Sequence, residues 1–68
     1  MKIILNNRPE EIDGKESVTI QELLTIKNFT FKMLVIKING TVVKRDNYTT
    51  ANVHANDDVK VIHLISGG

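Results

Sequence analysis

The order of apolar runs and turn signals predicts an α+β fold, with one short helix packed on a single sheet of about five strands. Three observations predict it. Short runs such as "KIILN", "MLVIKING" and "VKVIHLI" alternate in the manner of strands, with side chains taking opposite faces in turn. One stretch opens with a helix-capping signature. Asn- and Gly-rich dipeptides separate the runs.

Taken in chain order, "KIILN" from Lys2 to Asn6 reads as the first strand and ends at the turn signal Asn-Asn-Arg-Pro. Pro9 opens a second short segment, Glu10 to Asp13. Proline has no N–H to give to a central ladder, so this segment belongs at an edge. Asp13-Gly14 marks a further turn. Thr19-Ile20-Gln21-Glu22 then fits the capping box, in which the Thr hydroxyl and the Glu carboxylate satisfy each other's backbone N–H groups. Val18 before the cap and Leu23 after it are placed for the hydrophobic staple. Ile20, Leu23 and Leu24 fall on one helical face, and Asn28 with the β-branched and aromatic stretch after it ends the helix near Lys27. The run from Met33 is the next strand. Asn39-Gly40, the dipeptide favoured in two-residue hairpin turns, returns it as "TVVKR". Residues Asp46 to Asp58 read as polar and irregular, with one turn of helix near Tyr48. Asn56-Asp57-Asp58 marks a turn, and "VKVIHLI" is the last strand.

One helix covers one face of such a sheet and leaves the other open. Ile3 and Leu5, Leu34, Ile36 and Ile38, and Val59 and Val61 share the face that should meet the helix. The opposite face carries Lys2 and Ile4, Val35 and Lys37, and Lys60, Ile62 and Leu64. This is an apolar patch rimmed by lysines, the kind of surface that marks a docking site on a small protein.

Composition narrows the function. Sixty-eight residues with 41% hydrophobic content allow one small domain with one core. The absence of cysteine excludes disulfides, thiolate metal sites and a cysteine nucleophile. Nine Lys and Arg against eight Asp and Glu leave a net charge of +1, with Lys44-Arg45 the only adjacent basic pair. That balance argues against a nucleic-acid partner, and so do the few aromatics, Phe29, Phe31 and Tyr48. The apolar runs are too short for a membrane span, and "MKIILNNRPEE" turns polar too early for a secretory leader, so the cytoplasm is the expected compartment. His54 and His63 have no third ligand at a metal spacing. Asp57-Asp58 reads as a turn and Glu10-Glu11 as surface. No nucleophile–base pair and no phosphate-cradling glycine loop is visible, so the chain is expected to be worked on by enzymes and not to be one.

The strand–strand–helix–strand–strand–strand order with a Gly-Gly end resembles the ubiquitin-like β-grasp fold, a mixed sheet packed on one helix. The text is closer to one branch, the ThiS-type sulfur carriers of thiamine thiazole synthesis. "MKIILN", "VTIQELL", "IKINGTVVKRDNY" and "DDVKVIHLISGG" carry the resemblance across most of the chain. It implies a single carrier domain, residues 1–68, ending in a flexible tail over 65–68. It implies further that Gly68 is adenylated by an E1-like adenylyltransferase using ATP and converted to a thiocarboxylate, with no cofactor bound to the carrier itself. The implied partners are that enzyme, a sulfur-donating protein and thiazole synthase. Leu64, Ile65, Ser66 and Gly67 would thread into the partner, by strand addition where backbone pairing is possible. Ile62, Lys60, Ile4, Val35 and Lys37 would dock the body of the domain. Three departures stand out. Lys44 occupies a place where the family often has proline, Asn56-Asp57 replaces a common glycine, and the loop after the helix carries two Phe. A carrier for molybdopterin synthesis or tRNA thiolation, or a plain β-grasp binding module, remains an alternative on the same residues.

Overall fold

The computed structural model describes residues 1–30 and 32–64. The first hairpin forms from β1 (Lys2–Leu5) and β2 (Arg8–Glu11), with Leu5 opposite Arg8. Asn6 and Asn7 make its two-residue turn at φ 51° and 70°. Both are left-handed, as the type I′ geometry that suits strand twist demands. β2 starts at Arg8, two residues earlier than the sequence placed it, so Pro9 lies inside the strand, where it forfeits no ladder bond. It sits opposite Ile4, whose N–H donates the other way, to the Asp57 carbonyl at 2.9 Å. The Pro9 nitrogen therefore points outward from the sheet, where no ladder bond is lost.

Helix α1 (Ile20–Ile26) opens on the expected capping box. The Glu22 N–H donates to Thr19 Oγ1 at 3.0 Å, and the Thr19 N–H donates to Glu22 Oε1 at 2.9 Å. The same backbone hydrogen bond, first among its causes, holds the Glu22 carboxyl below its ordinary range. At the other end Lys27 caps the helix and Asn28 takes φ 58°. Phe29 N–H reaches the Leu24 carbonyl at 2.8 Å and Asn28 N–H the Thr25 carbonyl at 3.1 Å. This is a Schellman closure with Asn in the usual place of glycine.

After the loop come β4 (Leu34–Ile38) and β5 (Thr41–Val43), joined by a second left-handed pair, Asn39 at φ 49° and Gly40 at φ 85°. A single 3-10 turn, Arg45–Asn47, follows where a helical turn near Tyr48 was expected. The last strand is β7 (Asp58–His63). These five strands form one mixed sheet in the order β2-β1-β7-β4-β5, in which only β1 and β7 run parallel. The turn before β7 places Asn56 at φ 72°, with Asp57 N–H closing on the His54 carbonyl at 3.1 Å. Asparagine thus supplies the left-handed residue where glycine is common. Among the described residues every non-glycine with positive φ is an asparagine: Asn6, Asn7, Asn28, Asn39 and Asn56.

One part of the architecture departs from the sequence reading. Two further strands, β3 (Ser17–Thr19) and β6 (Asn52–His54), pair as a separate ribbon with Val18 opposite Val53. The stretch from Asp46 to Asp58 is therefore not wholly irregular. Each of these strands has three residues and one buried side chain, which is too short to display a period. The core lies between α1 and one face of the large sheet. Ile3, Ile20, Leu23 and Ile36 are fully buried there, and Val18, Val53 and Tyr48 close the side.

Candidate functional site: the open face of the sheet

The strand registers settle which side chains share the uncovered face. Hydrogen-bonded neighbours on paired strands point the same way, and alternate residues share a face. On β4 and β7, Val35 stands opposite Ile62 and Lys37 opposite Lys60. Lys37 also faces Val42 across β5. Ile4 lies opposite Asp58 on β7 and Pro9 on β2, and Lys2 lies opposite Glu11. The ladder continues past β4, since Leu64 N–H donates to the Met33 carbonyl at 2.9 Å.

All five expected docking residues thus occur on one surface. Ile62 is 43% exposed, while Ile4, Val35, Lys37 and Lys60 are half-buried. Leu64 is exposed beside them. The structure adds two members that the sequence reading left out, Met33 and Val42, both more than half exposed. Alternation was the available signal for Met33, two residues before Val35. For Val42 it was the Asn-Gly turn, which fixes the residue opposite Lys37. The remaining expected site residues, Ile65, Ser66, Gly67 and Gly68, lie outside the described residues, as does Phe31.

Polar contacts at the sheet's far end hold this face in shape. Lys60 Nζ donates to Asn7 Oδ1 at 2.7 Å and lies 3.5 Å from Asp58 Oδ1. Val61 N–H, left without a strand partner where β1 ends, donates to Asn6 Oδ1 at 2.8 Å. Asn39 Nδ2 donates to Asp57 Oδ1 at 3.1 Å, and Asn39 Oδ1 accepts from Asp58 N–H at 2.8 Å. His54 N–H donates to the other Asp57 oxygen at 2.9 Å. Asp57 is consequently a turn-building residue. Among the described residues no group of three His, Cys, Asp or Glu side chains could hold a metal ion. Nor is any described helix long and apolar enough to cross a membrane.

On the helix side, a cleft of 230 Å³ lies between Leu24, Phe29, Leu34, Arg45 and Tyr48. Arg45 donates there to the Lys32 carbonyl, tying the loop after α1 to the 3-10 turn. No pair of catalytic groups converges in it. Among the described residues the open face offers apolar area edged by lysine ammonium groups, the composition of a surface that can bind another surface.

Comparison with known proteins places the fold in a family. The model of the ThiS family matches residues 3–68. The crystal structure of the thiamine biosynthesis protein ThiS from Geobacter metallireducens superposes with a TM-score of 0.90 at 28% identity, covering 100% of both chains. A solution structure of a thiamine biosynthesis protein from the same organism gives a TM-score of 0.80 at 28% identity, over 100% of this chain and 88% of that one. A thiazole synthase of Magnetococcus marinus is 31% identical over 68 residues. That alignment takes in all of this chain but only 20% of the relative's length. The mixed sheet on one helix is the β-grasp fold of the ThiS structures.

Proposed function

The chain belongs to the ThiS family, and on that premise we propose that it is a sulfur carrier whose Gly68 carboxylate is adenylated and then converted to a thiocarboxylate for thiazole formation. The observation that carries the reading is the family match, which runs through both terminal glycines, and the open apolar sheet face among the described residues supports it. A carboxylate is a poor electrophile. When one of its oxygens attacks the α-phosphorus of ATP, pyrophosphate leaves and the acyl carbon gains a good leaving group. A sulfur nucleophile then takes that carbon and AMP departs. The repulsion between carboxylate and triphosphate must be offset by cationic groups of the activating enzyme. In this reading the chain is a cosubstrate in the cytoplasm, and the chemistry belongs to an E1-like adenylyltransferase and a sulfur-donating protein. Glycine at the last two positions leaves no side chain to obstruct a narrow active site.

The thiazole synthase relative supports the choice of acceptor, because a segment similar to this whole chain is contained in a protein of that name. Incubation with an E1-like adenylyltransferase from the same genome, ATP and a sulfur donor tests the proposal by intact mass. The expected gain equals replacement of one oxygen by sulfur, and deletion of Gly68 should abolish it. An unchanged mass beside a demonstrably active enzyme would overturn the reading.

A further inference from the structure

Along β4 and β7 the open face is graded. Outward positions on a strand recur about every 6.6–6.8 Å. At the end where β7 leads into the tail stand Leu64 and Met33, and the next row is Ile62 with Val35. Then come Lys60 with Lys37, and beyond them Asp58. Apolar side chains therefore lie nearest the tail and cations one step behind them.

The two lysines are not equivalent. Like charges directly opposite each other weaken a strand pair, and here the conflict is eased on one side only. Lys60 leans towards the first hairpin, where Asn7 Oδ1 receives it at 2.7 Å, and Asp58 Oδ1 on its own strand lies 3.5 Å away. Lys37 forms no ion pair among the described residues, and its neighbour towards β5 is the exposed Val42. It is half-buried, so its stem lies along apolar surface and its ammonium is the uncompensated charge of the row.

We propose that the adenylyltransferase seated on this face presents an Asp or Glu carboxylate to Lys37, one ladder step beyond its apolar pocket for Val35 and Ile62 and on the side away from the tail. The inference rests on the carrier reading above, in which this face docks. A stable interface covers about 800 Å² on each partner, a patch far wider than the step of about 7 Å between Ile62 and Lys60. A surface that covers Val35 and Ile62 therefore covers Lys37 as well. An ammonium removed from water without a counter-charge opposes association, so the partner that binds tightly supplies one. The same pair fixes orientation. A domain turned end for end would set Lys37 and Lys60 on the apolar pocket, and charge placement selects against that pose.

Calorimetric titration of the adenylyltransferase with the wild-type chain, Lys37→Gln, Lys37→Glu and Ile62→Asp, at low and moderate salt, tests this. Lys37→Gln should weaken binding about tenfold and flatten its salt dependence, and Lys37→Glu should weaken it about a hundredfold. Ile62→Asp should abolish it. If Ile62→Asp disrupts binding while both Lys37 variants bind like wild type, the carboxylate is refuted and the docking face stands. If Ile62→Asp also binds normally, the docking reading falls and takes the inference with it. Thermal unfolding separates pairing from misfolding. Lys37→Glu replaces a repulsion from Lys60 with an attraction, so its midpoint should be unchanged or higher. A loss of affinity that tracks a fall in that midpoint would count against the pairing.

Discussion

On β4 the neighbours Val35 and Ile36 have nearly the same chemistry and opposite fates. Ile36 points at α1 and is 0% exposed, whereas Val35 points away and stays half-open beside Ile62. The two faces of the sheet repeat this contrast in each long strand. One face is fixed by contact with the helix and holds the fold together. The other sets Val35 and Ile62 beside the Lys37–Lys60 pair and has nothing of its own chain over it among the described residues. Apolar side chains on one side are buried and serve stability, and those on the other stay open because the helix and the elements beside it pack on one face only.

The sharpest way to break this comparison is to truncate both members of the pair. Ile36→Ala should cost about 2–5 kcal/mol, much of the total margin of a small domain, and leave the chain largely unfolded in a chemical denaturation series. Val35→Ala should change stability by less than about 1 kcal/mol. Similar losses at both sites would mean that the open face is covered after all. At the end that both faces share, Asn39→Ala forfeits a left-handed residue and two side-chain hydrogen bonds, for about 2 kcal/mol in the same assay. Asn39→Gly, which keeps the backbone geometry, should recover about half of that. Thr19→Ala removes the cap of the covering helix and should cost about 1 kcal/mol.

The smallest expected effect concerns pH. The Glu22 carboxyl is depressed chiefly by the Thr19 N–H it accepts, with Lys15 nearby adding to it. A group whose folded pKa is lowered contributes stability above its unfolded value and loses it as pH falls through the folded one. The stability difference between wild type and Glu22→Gln should therefore shrink in acid unfolding curves as pH drops through the acidic range. A difference that grows in acid would reverse the assignment.

Much of this was legible beforehand because its causes are local. The capping box needs only Thr19 and Glu22 three positions apart, and the hairpin turns need only Asn6-Asn7 and Asn39-Gly40. That Ile4, Val35, Lys37, Lys60 and Ile62 share one face follows from alternation within single strands. The start of β2 was read two residues late, at Glu10 and not Arg8, because an edge tolerates proline in mid-strand when its nitrogen faces outward. The β3–β6 ribbon was invisible, because Val18 and Val53 gain their meaning from each other across the chain.

The sequence by itself therefore determined the elements that neighbouring residues enforce: the caps, the left-handed asparagine turns, the periods of the long strands, and the glycines at the end. Tertiary structure decided the order β2-β1-β7-β4-β5, the parallel contact of β1 with β7, and which lysine is neutralised. Asn7 meets Lys60, and Asn6 caps Val61, across more than fifty residues of chain. No local pattern encodes such a meeting. It exists only once burial of the core has closed the chain, and it leaves Lys60 satisfied and Lys37 without an ion pair among the described residues.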